Sequence, residues 1–176
     1  SPGANVFRNA VNPAAAPPWI LPAIVLSQFA GTSLWFAGNA VLPDLQARWG
    51  LSVAAVGRAT SAVQLGFIVG TLSFAFWNVS DRVSPRRLFL ACAVLGAASN
   101  VGVLALPPAE PSLLVCRFFT GVFLAGIYPV GMKIAAGWYR DTLGHALGFL
   151  VGALVLGTAF PHLLRGLGES LPWQAI

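Results

Sequence analysis

Long apolar runs separated by short polar loops restrict this chain more than any other feature of its sequence. A helix needs about 20 apolar residues to cross a hydrocarbon core about 30 Å thick, and five runs approach or exceed that length. We expect a sixth run to begin at Pro172-Trp173. The five predicted spans are Trp19–Pro43, Val53–Trp77, Leu88–Leu106, Ser112–Tyr139 and Leu143–Leu164.

The sequence has too few polar residues to cover the exterior of a soluble fold. Of its 176 residues, 57% are hydrophobic and 9% are charged, whereas roughly a quarter are charged in a soluble domain. Most of the exterior must therefore face lipid, where only helices or a closed barrel satisfy the backbone polar groups. The runs are too long and too rich in Ala, Leu and Gly for alternating barrel strands. The sequence thus predicts an all-α fold, a polytopic transmembrane helix bundle over residues 19–176.

Residues 1–18 have a different composition, rich in Pro, Ala and Asn, with Arg8 as their one charge. This composition predicts a flexible N-terminal tail. The apolar run that follows is too long for the hydrophobic region of a cleavable signal peptide. We therefore assign that run to the bundle.

The basic residues predict the orientation of the bundle, because cytoplasmic loops of membrane proteins carry an excess of Lys and Arg. Arg48 and Arg165 are the loop cations on one side. Those on the other side are Arg8, Arg82, Arg86, Arg87 and Arg140. The second side is therefore predicted to be cytoplasmic, with the N-terminus inside, in a bacterial-type inner membrane. The cations form no basic stripe, so the net charge of +5 does not indicate nucleic-acid binding.

Motifs for metals and nucleotides are missing from the sequence. Cys92 and Cys116 fall inside predicted spans, where they are interpreted as small buried hydrophobic residues. No CxxC or HxxxH spacing supports a metal site, and no phosphate-binding Gly-rich loop with its Lys appears. No cofactor, metal or catalytic residue is therefore predicted. A metal importer that uses Met132 with the Cys and His residues is the weakest alternative.

The loop after the second span reads Trp77-Asn78-Val79-Ser80-Asp81-Arg82-Val83-Ser84-Pro85-Arg86. It resembles the G-x-L-a-D-r-x-G-r-[KR] signature of major facilitator superfamily transporters, with Trp77 and Ser84 in place of the signature glycines. Arg117, followed by small residues at helical spacing, resembles a second signature of that family in its fourth span. The chain is therefore similar to the N-terminal half of such a carrier. The resemblance implies twelve spans in two halves, with the solute bound near the midplane and one half rocking against the other.

The same resemblance implies a conformational latch at the cytoplasmic end of the bundle. Its carboxylate would be Asp81, with Arg82 and Arg86 as basic partners, pressed against the C-terminal half of the carrier. Asp141 would close the network with Arg86 or Arg140. The alternative is that the arginines are only topology determinants that meet anionic lipid headgroups.

Three cations fall inside predicted spans, namely Arg58, Arg117 and Lys133. Each costs about 2.5 to 3.5 kcal/mol at a helix centre. No acid lies at comparable depth in the sequence, so we expect an anionic solute, or carboxylates from a second half, to neutralise them. Lys133 and Arg58 lie close enough to span ends to reach the headgroups instead.

Gln28, Asn39 and Gln64 are uncharged polar residues in the first two spans, where they either contact solute or bridge helices. Together with the three cations they form the predicted substrate site. The predicted function is secondary transport of a small anionic solute by alternating access, coupled to protons. A non-transporting accessory subunit of a larger membrane complex is the alternative. The expected partners are lipids, the solute, and a C-terminal half or second membrane subunit. The sequence is interpreted as a fragment of a carrier, as a half-transporter that dimerises, or as a structural subunit of a larger complex.

Overall fold

The computed structural model describes residues 17–140 and 142–167 as a bundle of seven helices. The predicted tail lies almost wholly outside these residues, as do Asp141 and the predicted start of a sixth span. The helices are α1 Ile20–Trp49, α2 Val53–Phe76, α3 Val79–Arg82, α4 Pro85–Ala105, α5 Glu110–Leu124, α6 Tyr128–Trp138 and α7 Leu143–Leu167.

The described residues contain no strand, which confirms the all-α prediction. Within residues 17–140 and 142–167, five segments are long and apolar enough to cross a membrane. They correspond to α1, α2, α4, the pair α5 and α6, and α7 as far as Phe160. The pair α5 and α6 forms the fourth span and is the most buried of the five.

The first helix runs past Pro43, where the sequence predicted its end, and continues to Trp49. Leu45 explains the extension, because it is 1% exposed and packs in a core with Leu42 and Leu113. Burial of these leucines outweighs the hydrogen bond that a proline removes from a helix. The helix ends at Gly50, whose positive φ of 63° lets its N–H donate to Gln46 O.

The connection from α2 to α4 is compact. Asn78 has φ 48°, a left-handed conformation that Asn tolerates better than most residues, and it directs the chain into the four-residue α3. Pro85 then begins α4 at the position where a missing N–H costs nothing. This turn holds Ser80 and Asp81 beside the end of the bundle.

Small residues let α2 and α5 approach until their backbones touch. A Cβ on Gly66 would overlap Phe118 O, and one on Gly121 would overlap Val63 O. Gly70 is equally crowded, since its Cβ would lie 2.5 Å from Val122 O. Close approach of this kind is how spans gain packing energy in a lipid environment.

The α1 and α7 helices pack through aromatic side chains. The Phe29 and Phe160 rings meet edge to face, with centroids 5.3 Å apart, and a Cβ on Gly157 would lie 3.5 Å from Thr32 Oγ1. The bundle therefore has two principal helix pairs, α2 with α5 and α1 with α7. The remaining spans pack around them.

The fourth span is broken at Ala125–Ile127, between α5 and α6. Gly126 N–H donates to Phe123 O and Ile127 N–H to Leu124 O, both at 3.0 Å, so the chain tightens into turns. Pro129 follows at the start of α6, where the ring is compatible with a helix. The span thus consists of two helical segments with separate contacts.

Candidate functional site

Charged and polar side chains inside the bundle lie at three places. One is the end that carries α3, called the Asp81 end. The opposite end carries the start of α5 and is called the Glu110 end. The third place is the interior between them, where α5 contributes Arg117.

Arg117 is the most deeply buried charged residue that the structure describes, with 1% of its surface exposed. Its guanidinium donates from Nη2 to Asn39 Oδ1 and from Nη1 to Trp35 O, the latter at 3.5 Å. Both acceptors belong to α1 and neither carries a charge. The Nε atom is buried and has no hydrogen-bond partner. A formal positive charge therefore lies in the bundle beside neutral oxygens.

The position of Arg117 depends on a glycine in the facing helix. A Cβ on Gly38 would overlap Nη1 and lie 2.8 Å from Cζ. Only a residue without a side chain leaves room for the guanidinium against α1. The sequence contains Gly38, but nothing in it indicates that this glycine faces Arg117.

A cavity of about 350 Å³ adjoins Arg117 between α1, α4 and α5. Its lining is mostly apolar, with Ser33 and Asn100 as further polar residues. The Asn100 amide donates from Nδ2 to Leu34 O at 2.8 Å and accepts from Thr120 Oγ1 at 3.2 Å. Asn100 and Thr120 were not among the predicted site residues. Their polarity within apolar spans was the available signal.

Lys133 lies in α6 and reaches the loop at the Asp81 end. Its Nζ pairs with Asp81 and donates to Ser80 O at 2.9 Å and to Ser80 Oγ at 3.3 Å. The side chains of Lys133 and Asp81 are 33% and 60% exposed. The pair therefore lies at the border between the bundle and its surroundings.

The predicted latch residues have different neighbours from those implied by the resemblance. Among the described residues, Asp81 contacts Lys133 rather than Arg82 or Arg86. The guanidinium of Arg86 lies 5.8 Å from the centroid of the Trp138 ring. Asp141 lies outside the described residues. Contact of this network with a C-terminal half stays a prediction.

Arg58 forms a second ion pair at the Glu110 end. Its Nε lies 2.5 Å from Glu110 Oε1, and the side chains are 53% and 29% exposed. Glu110 was not predicted to have this role, although an acid at the first residue of a span is a visible signal. The pair joins the second turn of α2 to the first residue of α5.

Two of the three intramembrane cations therefore have carboxylate partners within this chain, contrary to the expectation that they have none. The α2–α5 contact brings Glu110 to Arg58, and the turn through α3 brings Asp81 to Lys133. Both acids lie at span ends, where long basic side chains can reach them. Arg117 differs because its two acceptors are neutral.

The three uncharged site residues lie in different places. Asn39 contacts Arg117. Gln28 is fully buried against Gly131 of α6, and neither polar atom of its amide has a partner. Gln64 is on the exposed face of α2. The structure thus brings Arg117 and Asn39 together and leaves the other two apart from them.

The described residues contain no group of three or more side chains that could hold a metal ion. Cys92 and Cys116 are buried as free thiols and belong to separate hydrophobic cores.

Comparison with known proteins gives a consistent family match. The sequence model of the Major Facilitator Superfamily matches residues 24–176 of this chain. The chain is 31% identical over 163 residues to a chloramphenicol resistance protein of Streptomyces lividans, covering 90% of this chain and 40% of that protein. It is 29% identical over 163 residues to Polyamine transporter 3 of Saccharomyces cerevisiae, covering 88% and 25%.

A third relative is a multidrug transporter of Candida glabrata, 32% identical over 124 residues that cover 69% of this chain and 19% of the relative. The chain therefore spans less than half the length of each of these three proteins. No solved structure matches it at comparable significance.

Proposed function

Because this chain belongs to the major facilitator superfamily, we propose that it forms the N-terminal half of a secondary transporter that moves a small organic solute by alternating access. It is a multi-pass membrane protein of a transporter family rather than an enzyme. The proposal for the solute draws on the relatives, whose names refer to chloramphenicol, to drugs in general and to polyamines. Each of these is an organic molecule of modest size.

The observation that carries the proposal is the buried guanidinium of Arg117 beside a cavity. A charge in an apolar span costs free energy, so such residues usually serve a substrate or ion pathway. We propose that Arg117, held by Asn39, contributes to solute binding or to the change between access states. Four other residues come second in this proposal for solute binding, because none of them contacts the Arg117–Asn39 pair. They are Gln28, Gln64, Lys133 and Arg58.

An anionic solute and coupling to protons are narrower proposals. The anion now has support from Arg117 alone, since Lys133 and Arg58 already contact carboxylates. None of the relatives has a name that refers to an anion. Proton coupling has support from the family resemblance and is tested by imposing a pH gradient.

The test is transport by the full-length protein in proteoliposomes, with chloramphenicol, a polyamine and benzoate as neutral, cationic and anionic solutes. Arg117→Gln is compared with Arg87→Gln, which removes an exposed cation outside the cavity. We expect Arg117→Gln to lower transport about tenfold, equivalent to about 1.4 kcal/mol, and Arg87→Gln to leave it within about twofold. Equal transport by the two variants would contradict the role of Arg117. Absence of transport for every solute, with the protein bound to another membrane complex, would favour the accessory subunit.

The proposed orientation places the N-terminus and the Asp81 end in the cytoplasm. Ser84 and Pro108 lie in exposed loops at opposite ends of the bundle. A membrane-impermeant maleimide applied to intact cells should label Pro108→Cys, and should label Ser84→Cys only after permeabilisation. The buried native cysteines give a low background. The reverse labelling pattern would invert the topology.

A further inference from the structure

We propose that the cavity beside Arg117 is a binding site for a small anion, either a halide or a carboxylate group. The site consists of Arg117 and Asn100, which both line the cavity. The ligand would neutralise a charge for which the described contacts supply only neutral oxygens.

The first argument is the balance of charge. A buried cation is tolerated when a counter-charge and good hydrogen bonds replace its lost hydration. Asn39 and Trp35 supply hydrogen bonds but no negative charge. The ion pairs at Lys133 and Arg58 show that this bundle uses carboxylates where cations are more exposed than Arg117. An anion in the adjacent cavity would give Arg117 the same compensation.

The second argument is the supply of donors. A guanidinium carries more N–H groups than the two described acceptors can use, and the buried Nε has no hydrogen-bond partner. Asn100 donates one amide hydrogen to Leu34 O and retains another. Both side chains line the cavity. Several N–H donors and no carboxylate are what an anion requires.

The third argument is size. The cavity volume of about 350 Å³ is many times the roughly 30 Å³ that one water molecule occupies in the liquid. A halide or acetate fits with water beside it, and the apolar lining from Leu34, Val41 and Leu104 accommodates a short hydrocarbon group. The cavity therefore has room for a compact anion together with a short hydrocarbon group.

The bound anion could have either of two origins. A resident halide or small carboxylate would be a fixed component of the protein. Alternatively, the carboxylate belongs to the transported solute, and in that case the inference rests on the function proposed above. The binding test does not depend on transport, so the two proposals can fail separately.

The binding test is thermal unfolding of the full-length purified protein in detergent, with chloride, bromide, formate or acetate titrated at constant ionic strength against sulfate. Wild type is compared with Arg117→Gln, Arg117→Lys and the control Arg87→Gln. We expect a saturable rise in Tm of about 2–4 °C for wild type near tenfold Kd. The rise should persist in Arg87→Gln, weaken in Arg117→Lys and vanish in Arg117→Gln.

The source of the anion is distinguished by transport in the same anion series. If the anion is resident, transport of a neutral solute should require it. If the site binds the carboxylate of the solute, the added anion should displace that carboxylate and inhibit transport of the solute. Both results support the site. A wild-type Tm that does not respond to any anion, or an equal response in Arg117→Gln, would overturn it. Those results would mean that neutral oxygens, or a carboxylate from the rest of the protein, satisfy Arg117.

Discussion

The contact between Lys133 and Asp81 gives a prediction that separates two accounts of the loop at the Asp81 end. In the structure, Lys133 Nζ holds both Asp81 and Ser80. In the network implied by the sequence signature, Asp81 pairs with Arg82 or Arg86. The perturbation is therefore a double-mutant cycle with Lys133→Met and Asp81→Asn, run beside a second cycle with Arg86→Gln and Asp81→Asn.

The expected magnitudes follow from exposure and from the count of contacts. With side chains 33% and 60% exposed, the ion pair is worth about 0.2–1 kcal/mol. Lys133→Met also removes the two hydrogen bonds to Ser80, each worth about 0.5–1.5 kcal/mol. Lys133→Met should therefore destabilise the protein by about 1–4 kcal/mol, and Asp81→Asn by less than about 1 kcal/mol.

The assay is reversible unfolding of the full-length protein in mixed micelles, with the coupling energy taken from the four corners of each cycle. We expect a coupling of about 0.5 kcal/mol or more between Lys133 and Asp81, and a coupling within error of zero between Arg86 and Asp81. The reasoning is refuted when Asp81→Asn costs more than Lys133→Met. A larger coupling to Arg86 would likewise restore the predicted latch pairing.

Two further predictions concern glycines at helix contacts. Gly121→Ala should destabilise the protein by about 3 kcal/mol, the upper end of the usual cost of overpacking, because its Cβ would overlap Val63 O. The control Gly148→Ala, with open space at its Cβ, should be neutral or slightly stabilising. Equal costs of the two substitutions in an unfolding assay would contradict the α2–α5 contact. Gly126→Ala should also destabilise, since its Cβ would overlap Cys92 Sγ. In a Cys92→Ala background the cost should fall by about 1 kcal/mol or more, and an unchanged cost would place the overlap elsewhere.

The five spans that the structure describes, and most of their limits, could be predicted, because lipid allows only long apolar helices and these are visible in the sequence. The end of α1 could not. Pro43 and Asp44 are typical of a helix end, yet burial of Leu45 against α2 and α5 extends the helix to Trp49. Such a contact depends on where the other spans lie, which local sequence does not determine.

Two residues that meet in the candidate site were each named from the sequence, but their contact was not predicted. Arg117 and Asn39 were each predicted, since polar groups in apolar spans are easily recognised. Their contact depends on Gly38, and the two ion pairs join residues 52 positions apart. Pairings across that distance depend on which helices cross, so the sequence left Asp81 with its nearest cations instead.

The break in the fourth span separates two helical segments that are held by different contacts. The α5 segment is fixed to α2 by backbone contact at Gly66 and Gly121, whereas α6 is tied to the α3 turn by Lys133. With 11 residues, α6 is a lever about 16 Å long at 1.5 Å per residue. A tilt of about 10° at the break would move its far end by about 3 Å and would carry the loop at the Asp81 end with it. A small change of angle at the break thus becomes a displacement of several ångströms at the Asp81 end of the bundle.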